Sequence, residues 1–144
     1  ETPFEPGSGG YGAPGGAGGG AIRIEAAGRV VVCGTLSANG TAGGSYCGSG
    51  SGGAIFISCD TFAGTNGIVR AAGGYSLSWA SGPSSGGGGR IAIWRNRDAA
   101  DSAVTDYATL TNGYASVAGG DVNAGAGTVV FGFLPSKGLI LLFK

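Results

Sequence analysis

The sequence predicts an all-β chain: a short parallel β-helix, or solenoid, with glycine-rich loops, and a β-sandwich as the alternative. Three observations carry this. Glycine is the leading residue, 34 of 144, several times the average frequency of about 7%. Charged residues are only 11% while hydrophobic ones reach 42%, the reverse of a disordered composition. Finally, two short β-branched elements return in the same order about 33 residues apart, the mark of stacked units.

The first element is Ala21-Ile22-Arg23-Ile24. It returns as Ala54-Ile55-Phe56-Ile57, as Arg90-Ile91-Ala92-Ile93 and as Thr128-Val129-Val130-Phe131. Each copy follows a glycine-rich stretch: Gly7 to Gly20, Gly40 to Gly53, Gly73 to Gly89 and Gly119 to Gly127. Side chains two apart share one face of a strand. Ile22, Ile55, Ile91 and Val129, with Ile24, Ile57, Ile93 and Phe131, therefore form two apolar ladders if the units stack. The position between them holds Arg23, Phe56, Ala92 and Val130. That is too apolar for a solvent face, so a covered outer face is expected.

The second element is Thr35-Leu36-Ser37-Ala38-Asn39-Gly40. It matches Ile68-Val69-Arg70-Ala71-Ala72-Gly73 and Tyr114-Ala115-Ser116-Val117-Ala118-Gly119. The third unit carries an insertion at about 95–108, the one place where a turn or two of helix is expected. The glycine stretches are read in two ways, as tolerant surface loops or as ordered, extended, polyproline-II-like segments with backbones in contact. Repeated Gly-Gly pairs also suit sharp corners between faces.

The chain reads as one domain, with an N-terminal arm at 1–6 and an apolar C-terminal strand at 138–144. The absence of a starting Met and of a visible leader suggests a mature chain or a fragment. No apolar run reaches membrane-spanning length. Eight acids balance eight bases and are scattered, which argues against a nucleic-acid partner.

Catalytic constellations are scarce. The chain has no His, so neither a Ser-His-Asp triad nor a Cys-His pair exists. Glu25 and Asp60 are the best carboxylate pair for glycoside chemistry, with two exposed loop acids as the plainer reading. Asp98, Asp101 and Asp106 are the one local acid cluster, sparse for calcium. No phosphate-cradle motif stands among the glycines. The expectation is no enzyme, no cofactor and no metal.

Cys33, Cys47 and Cys59 are disulfide candidates, with one left over. Asn39-Gly40-Thr41 is a glycosylation sequon. Tyr46, Tyr75, Trp79 and Tyr114 lie in or beside glycine-rich stretches. They either pin those loops onto the sheet, the favoured reading, or contact glycans, with Tyr75 and Trp79 as the candidates. At the termini, Phe4 and the run Leu139, Ile140, Leu141, Leu142 and Phe143 are candidate assembly residues. An open strand edge pairs with another chain unless covered.

The pattern Gly-Gly-Ala-Ile-Phe-Ile, then Gly-Ile-Val-Arg-Ala-Ala-Gly-Gly, then Gly-Gly-Gly-Gly-Arg-Ile-Ala-Ile resembles glycine-rich β-solenoid modules of large secreted and cell-surface microbial proteins. The resemblance spans about residues 7 to 131. It implies a parallel β-helix at the cell surface and carries no catalytic residues. The expected role is an extracellular structural subunit of a head-to-tail filament or surface layer. The alternative is an adhesin touching surface glycans. Ice binding lacks the regular flat Thr array it needs.

Overall fold

The computed structural model describes residues 2–76, 84–96, 110–111, 114–121 and 124–135. The described residues form ten strands and no helix. These are β1 (Ala21–Glu25), β2 (Arg29–Val31), β3 (Thr35–Ser37), β4 (Ala54–Cys59), β5 (Thr61–Thr65), β6 (Ile68–Arg70), β7 (Arg90–Arg95), β8 (Leu110–Thr111), β9 (Tyr114–Ser116) and β10 (Thr128–Phe133). They assemble into three sheets, ordered β1-β4-β7-β10, β2-β5-β8 and β3-β6-β9. Every described strand pair is parallel. The hairpins of a β-sandwich are therefore absent from the described residues. Each successive pass of the chain, β1-β2-β3, β4-β5-β6, β7-β8-β9 and then β10, contributes one strand to a sheet.

The register explains the core. Ile22 pairs with Ile55, Ile55 with Ile91, and Ile91 with Val129. Two residues on, Ile24, Ile57, Ile93 and Phe131 stand in line. The middle members, Ile55, Ile57, Ile91 and Ile93, are at most 1% exposed. They pack with Val69, Phe62, Cys59, Val32, Ala38, Ala71 and Val117. Burying each large aliphatic side chain contributes about 1.5–3 kcal/mol. The end members Ile22, Ile24, Val129 and Phe131 are only half-buried, because nothing among the described residues stacks beyond them.

The middle sheet corrects the two-strand reading of each unit. β2 and β5 pair Val30 with Phe62, and Phe62 is buried in the core. At three residues, β2 is too short to show a period. The insertion at about 95–108, with its expected helical turn, lies almost wholly outside the described residues.

The glycine-rich stretches form an ordered backbone array. Its rule is visible at Gly48–Gly53. Gly48 and Ser51 donate to Tyr11 O (2.7 Å) and Ser8 O (2.9 Å). Ser49 and Gly52 donate to Ser84 O and Gly87 O, both at 2.8 Å. Gly50 and Gly53 donate to Thr41 O (3.0 Å) and Ala38 O (2.8 Å). Every third N–H meets the same neighbour, so the segment turns once per three residues, as an extended polyproline-II helix does. Three neighbouring segments thus satisfy one strand of backbone on three sides, which answers the cost of burying amides.

Close approach is what the array requires of glycine. A Cβ on Gly52 would stand 2.6 Å from Gly89 N and closer still to Ala71 O. Among the described glycines only Gly12 has a positive φ, 95°. The Gly-Gly pairs therefore serve contact between segments, and the corner reading is corrected. Gly12 lies in the turn that folds Gly7–Tyr11 back on Gly16–Gly19, closed by Gly15 N donating to Gly12 O at 2.8 Å.

Candidate functional site: the open ends and the tyrosine tip

The three sheets end level at the first pass, while at the last β10 stands one rung beyond β8 and β9 among the described residues. β1, β2 and β3 are all edge strands on one side, and β10, β8 and β9 on the other. At the first end the apolar side chains of Ile22, Ile24, Val30 and Leu36 are half-buried. A recess of about 230 Å³ opens there between Ile24 and the segment 30–36. Val31 is 53% exposed beside it, and Cys33 lies exposed in the β2–β3 connection. At the other end Val129 and Phe131 are half-buried and Val130 is 40% exposed. An edge strand presents unpaired N–H and C=O groups. Chemically, the ends can therefore add strands and cover apolar surface.

The outer face of the β1-β4-β7-β10 sheet is covered unevenly. Phe56 and Ala92 are buried, at 4% and 3% exposure, while Val130 is open. The Arg23 guanidinium lies 5.7 Å from the Phe56 ring centre, a cation–π contact. Arg23 also pairs with Glu25 at 2.8 Å. Arm residues from Thr2 to Pro6 border a groove of about 950 Å³ over this face, which reaches Ala92 and Val130. Phe4 sits in that arm, 62% exposed. The apolar run Leu139 to Phe143 lies outside the described residues.

Glu25 is engaged by Arg23, while Asp60 accepts a hydrogen bond from Asn96 Nδ2. Asp98, Asp101 and Asp106 lie outside the described residues. Among the described residues no group of three or more metal-ligating side chains comes together.

The cysteines are three free thiols, correcting the expectation of a disulfide among Cys33, Cys47 and Cys59. They occupy different parts of the fold. Cys33 is on the surface, Cys47 is buried in the glycine array against Gly12, and Cys59 is buried at the end of β4. Burial pushes the Cys59 thiol above its ordinary value of 9.0, outweighing its hydrogen bond to the Val30 backbone and the nearby Arg95 charge. Asn39 is used structurally. Its Oδ1 accepts the Ala72 N–H at 2.8 Å, which ties the first pass to the second.

The tyrosines overturn the pinning expectation. Tyr46 is 73% exposed and Tyr75 is 58% exposed, so neither holds a loop onto the sheet. Trp79 lies outside the described residues, as does the side chain of Tyr114. Tyr11, which the sequence pattern does not single out, is 86% exposed, more than Tyr46 or Tyr75. Backbone contacts bring the three to one end of the glycine array: Tyr11 O accepts from Gly48 N, and Tyr75 O accepts from Ser49 Oγ. Tyr46 precedes Cys47 and Gly48 directly and has a positive φ of 63°. The signal that could have found Tyr11 is its position: it stands before the turn at Gly12, where side chains face outward.

No helix among the described residues is long and apolar enough to cross a membrane. No protein-family model, curated protein or solved structure matches the chain.

Proposed function

We propose that this chain is a short glycine-rich β-solenoid that serves as an extracellular structural subunit, joined head to tail into a filament or surface layer by strand pairing at its ends. The carrying observation is the coincidence of three parallel edge strands with half-exposed apolar residues at the first-pass end, and of the open edge strand β10 with half-buried Val129 and Phe131 at the other. Parallel sheets are normally buried on all sides. An end of this kind is completed by another layer of strands. Because the two ends differ, the contact does not close on itself, and repetition yields a fibre. The scarcity of charge favours the same outcome, since little self-repulsion opposes association.

The test is negative-stain and cryo-electron microscopy of the purified chain, alongside Leu36→Lys. The β1-β4-β7-β10 sheet holds four strands per subunit, and at about 4.8 Å each these give an axial repeat of about 19 Å. Wild-type filaments with that repeat and dispersed Leu36→Lys particles are expected, since an inward charge at an edge blocks pairing. Dispersed wild-type particles at high concentration, or a Leu36→Lys variant that polymerises equally well, overturn the reading.

A second reading rests on a separate observation. The three exposed tyrosines at one end of the array suit contact with glycan rings, whose apolar faces stack on aromatic side chains. On this reading the chain is a cell-surface adhesin. Replacing Tyr11, Tyr46 and Tyr75 together with Ser would abolish retention on immobilised polysaccharide, and unchanged retention would refute it.

A further inference from the structure

The glycine array has a filled furrow and, one pass further on, an equivalent furrow that is empty among the described residues. In the filled one, Gly7–Tyr11 lies against the first and second passes. Gly7 N donates to Gly19 O and Gly10 N to Gly16 O, both at 2.7 Å. In return Ser8 O accepts from Ser51 N at 2.9 Å, and Tyr11 O from Gly48 N at 2.7 Å. This short segment thus meets two acceptors on one pass and two donors on the next.

Strand register locates the equivalent atoms. Ala21 pairs with Ala54, and Ala54 with Arg90. The acceptors Gly16 and Gly19 then correspond to Ser49 and Gly52, and the donors Gly48 and Ser51 to Ser84 and Gly87. At these four positions the backbone atoms are unused among the described residues: Ser49 O and Gly52 O receive no hydrogen bond, and Ser84 N and Gly87 N make none. The groove of about 950 Å³ opens at one end of this line, where Gly52 borders it. The arm from Thr2 to Ser8, Ser51 to Ala54, Gly88 to Ala92, Thr128 and Val130 line it.

We propose that this second furrow is a docking site for an extended glycine-rich segment of another polypeptide, with the pattern Gly-x-x-Gly. The filled furrow defines what fits. A Cβ on Gly7 would stand 2.6 Å from Gly52 O, and one on Gly10 would stand 2.9 Å from the Ser49 carbonyl carbon and overlap Gly48 O. Both docking positions must therefore be glycine. Both must also keep their N–H, which excludes proline there. The residues between them face away, as the exposure of Ser8 and Gly9 illustrates. Such a site reads the spacing of glycines rather than side chains, and a partner already in polyproline-II form loses little entropy on docking.

The two furrows differ at both ends: Gly87 stands where the second pass has Ser51, whose Oγ accepts from Ser8 N at 2.7 Å, so that side-chain bond has no counterpart in the second furrow. At the other end Ser84 stands where the second pass has Gly48, and a Cβ at Gly48 would already be 2.8 Å from Tyr11 N. The backbone fit is therefore closer at Gly52 and Gly87, the end nearer the groove. This lateral site is separate from the strand edges at the two ends and does not rest on the filament reading.

The test is an amide NMR titration of the full chain with a synthetic peptide of sequence Thr-Pro-Phe-Glu-Pro-Gly-Ser-Gly-Gly-Tyr-Gly, which copies the arm and its furrow segment. The Gly87 and Ser84 amides are expected to shift, with Gly48 and Ser51 unmoved. A peptide with Ala at its sixth and ninth positions, the counterparts of Gly7 and Gly10, is expected to bind at least about tenfold more weakly. That comparison needs no protein variant. Gly87→Pro supplies a second, since it removes the donor while proline's φ suits an extended threefold segment. A Cβ at Gly87 finds only Gly125 O, at 3.6 Å. Loss of binding is expected, with the rest of the spectrum preserved. No shift at millimolar peptide, equal binding of the Ala peptide, or shifts at Gly48 and Ser51 that signal exchange with the chain's own arm would each overturn the proposal.

Discussion

Gly19 and Gly20 are neighbours of identical chemistry, and the structure predicts opposite effects of the same substitution. An Ala Cβ at Gly19 would stand 2.5 Å from Gly53 N and closer still to Ala38 O. Those two atoms are hydrogen-bonded to each other at 2.8 Å, so the methyl group enters the bond itself. Overpacking costs about 1–3 kcal/mol. Losing that bond costs about 1 kcal/mol, and displacing Gly19 N from Ser51 O costs about as much again. Gly19→Ala should therefore destabilise by about 3–5 kcal/mol. At Gly20 an added Cβ meets nothing within 4 Å, and its φ is not positive. Gly20→Ala should stabilise by about 0.4–1 kcal/mol through the unfolded chain. At about 3 °C per kcal/mol for a chain of this size, thermal melts should show a drop of about 10 °C and a rise of about 2 °C. Urea titration of both variants checks the free energies directly. Equal losses at the two positions would refute the claim that contact between segments, and not local backbone freedom, is what the array asks of glycine.

Two further expectations concern the core and the thiols. Ile55→Ala should cost about 2–5 kcal/mol and Ile22→Ala clearly less in the isolated subunit, because Ile55 is fully enclosed while its partner Ile22 is at the open end; equal costs in urea titrations would show that the end is covered. An aromatic disulfide reagent should titrate Cys33 at once and Cys59 only on unfolding. Because burial raises the Cys59 thiol above 9.0, its contribution to stability is full below about pH 9 and declines as pH rises through the raised value. Cys59→Ala should remove that part of the alkaline loss in thermal melts.

Much of the strand framework was legible in the chain. Alternation at Ile22 and Ile24, repeated at Ile55 and Ile57 and at Ile91 and Ile93, identifies which side chains turn inward. That information is local, because a strand sends successive side chains to opposite faces. The middle sheet was not legible. Val30 and Val31 make too short a run to show a period, and only the closure of each pass places them beside Phe62. The site was less legible still. Nothing near Tyr46 or Tyr75 in the chain distinguishes an exposed tyrosine from a pinning one, and no spacing rule foretold that the three cysteines would stand apart.

The sequence by itself determined the all-β class, the first and third strands of each pass and the inward-facing aliphatic ladders, since these depend on alternation within a few residues. Tertiary structure alone decided the rest. It selected which glycines touch a neighbouring backbone and which stand open, sent successive N–H groups of Gly48–Gly53 to three different chain segments in turn, and left one furrow filled and its equivalent empty among the described residues. The physical reason is that a glycine carries no side-chain pattern to read. Its role is set by the segment lying against it, and in this fold that segment is usually tens of residues away along the chain.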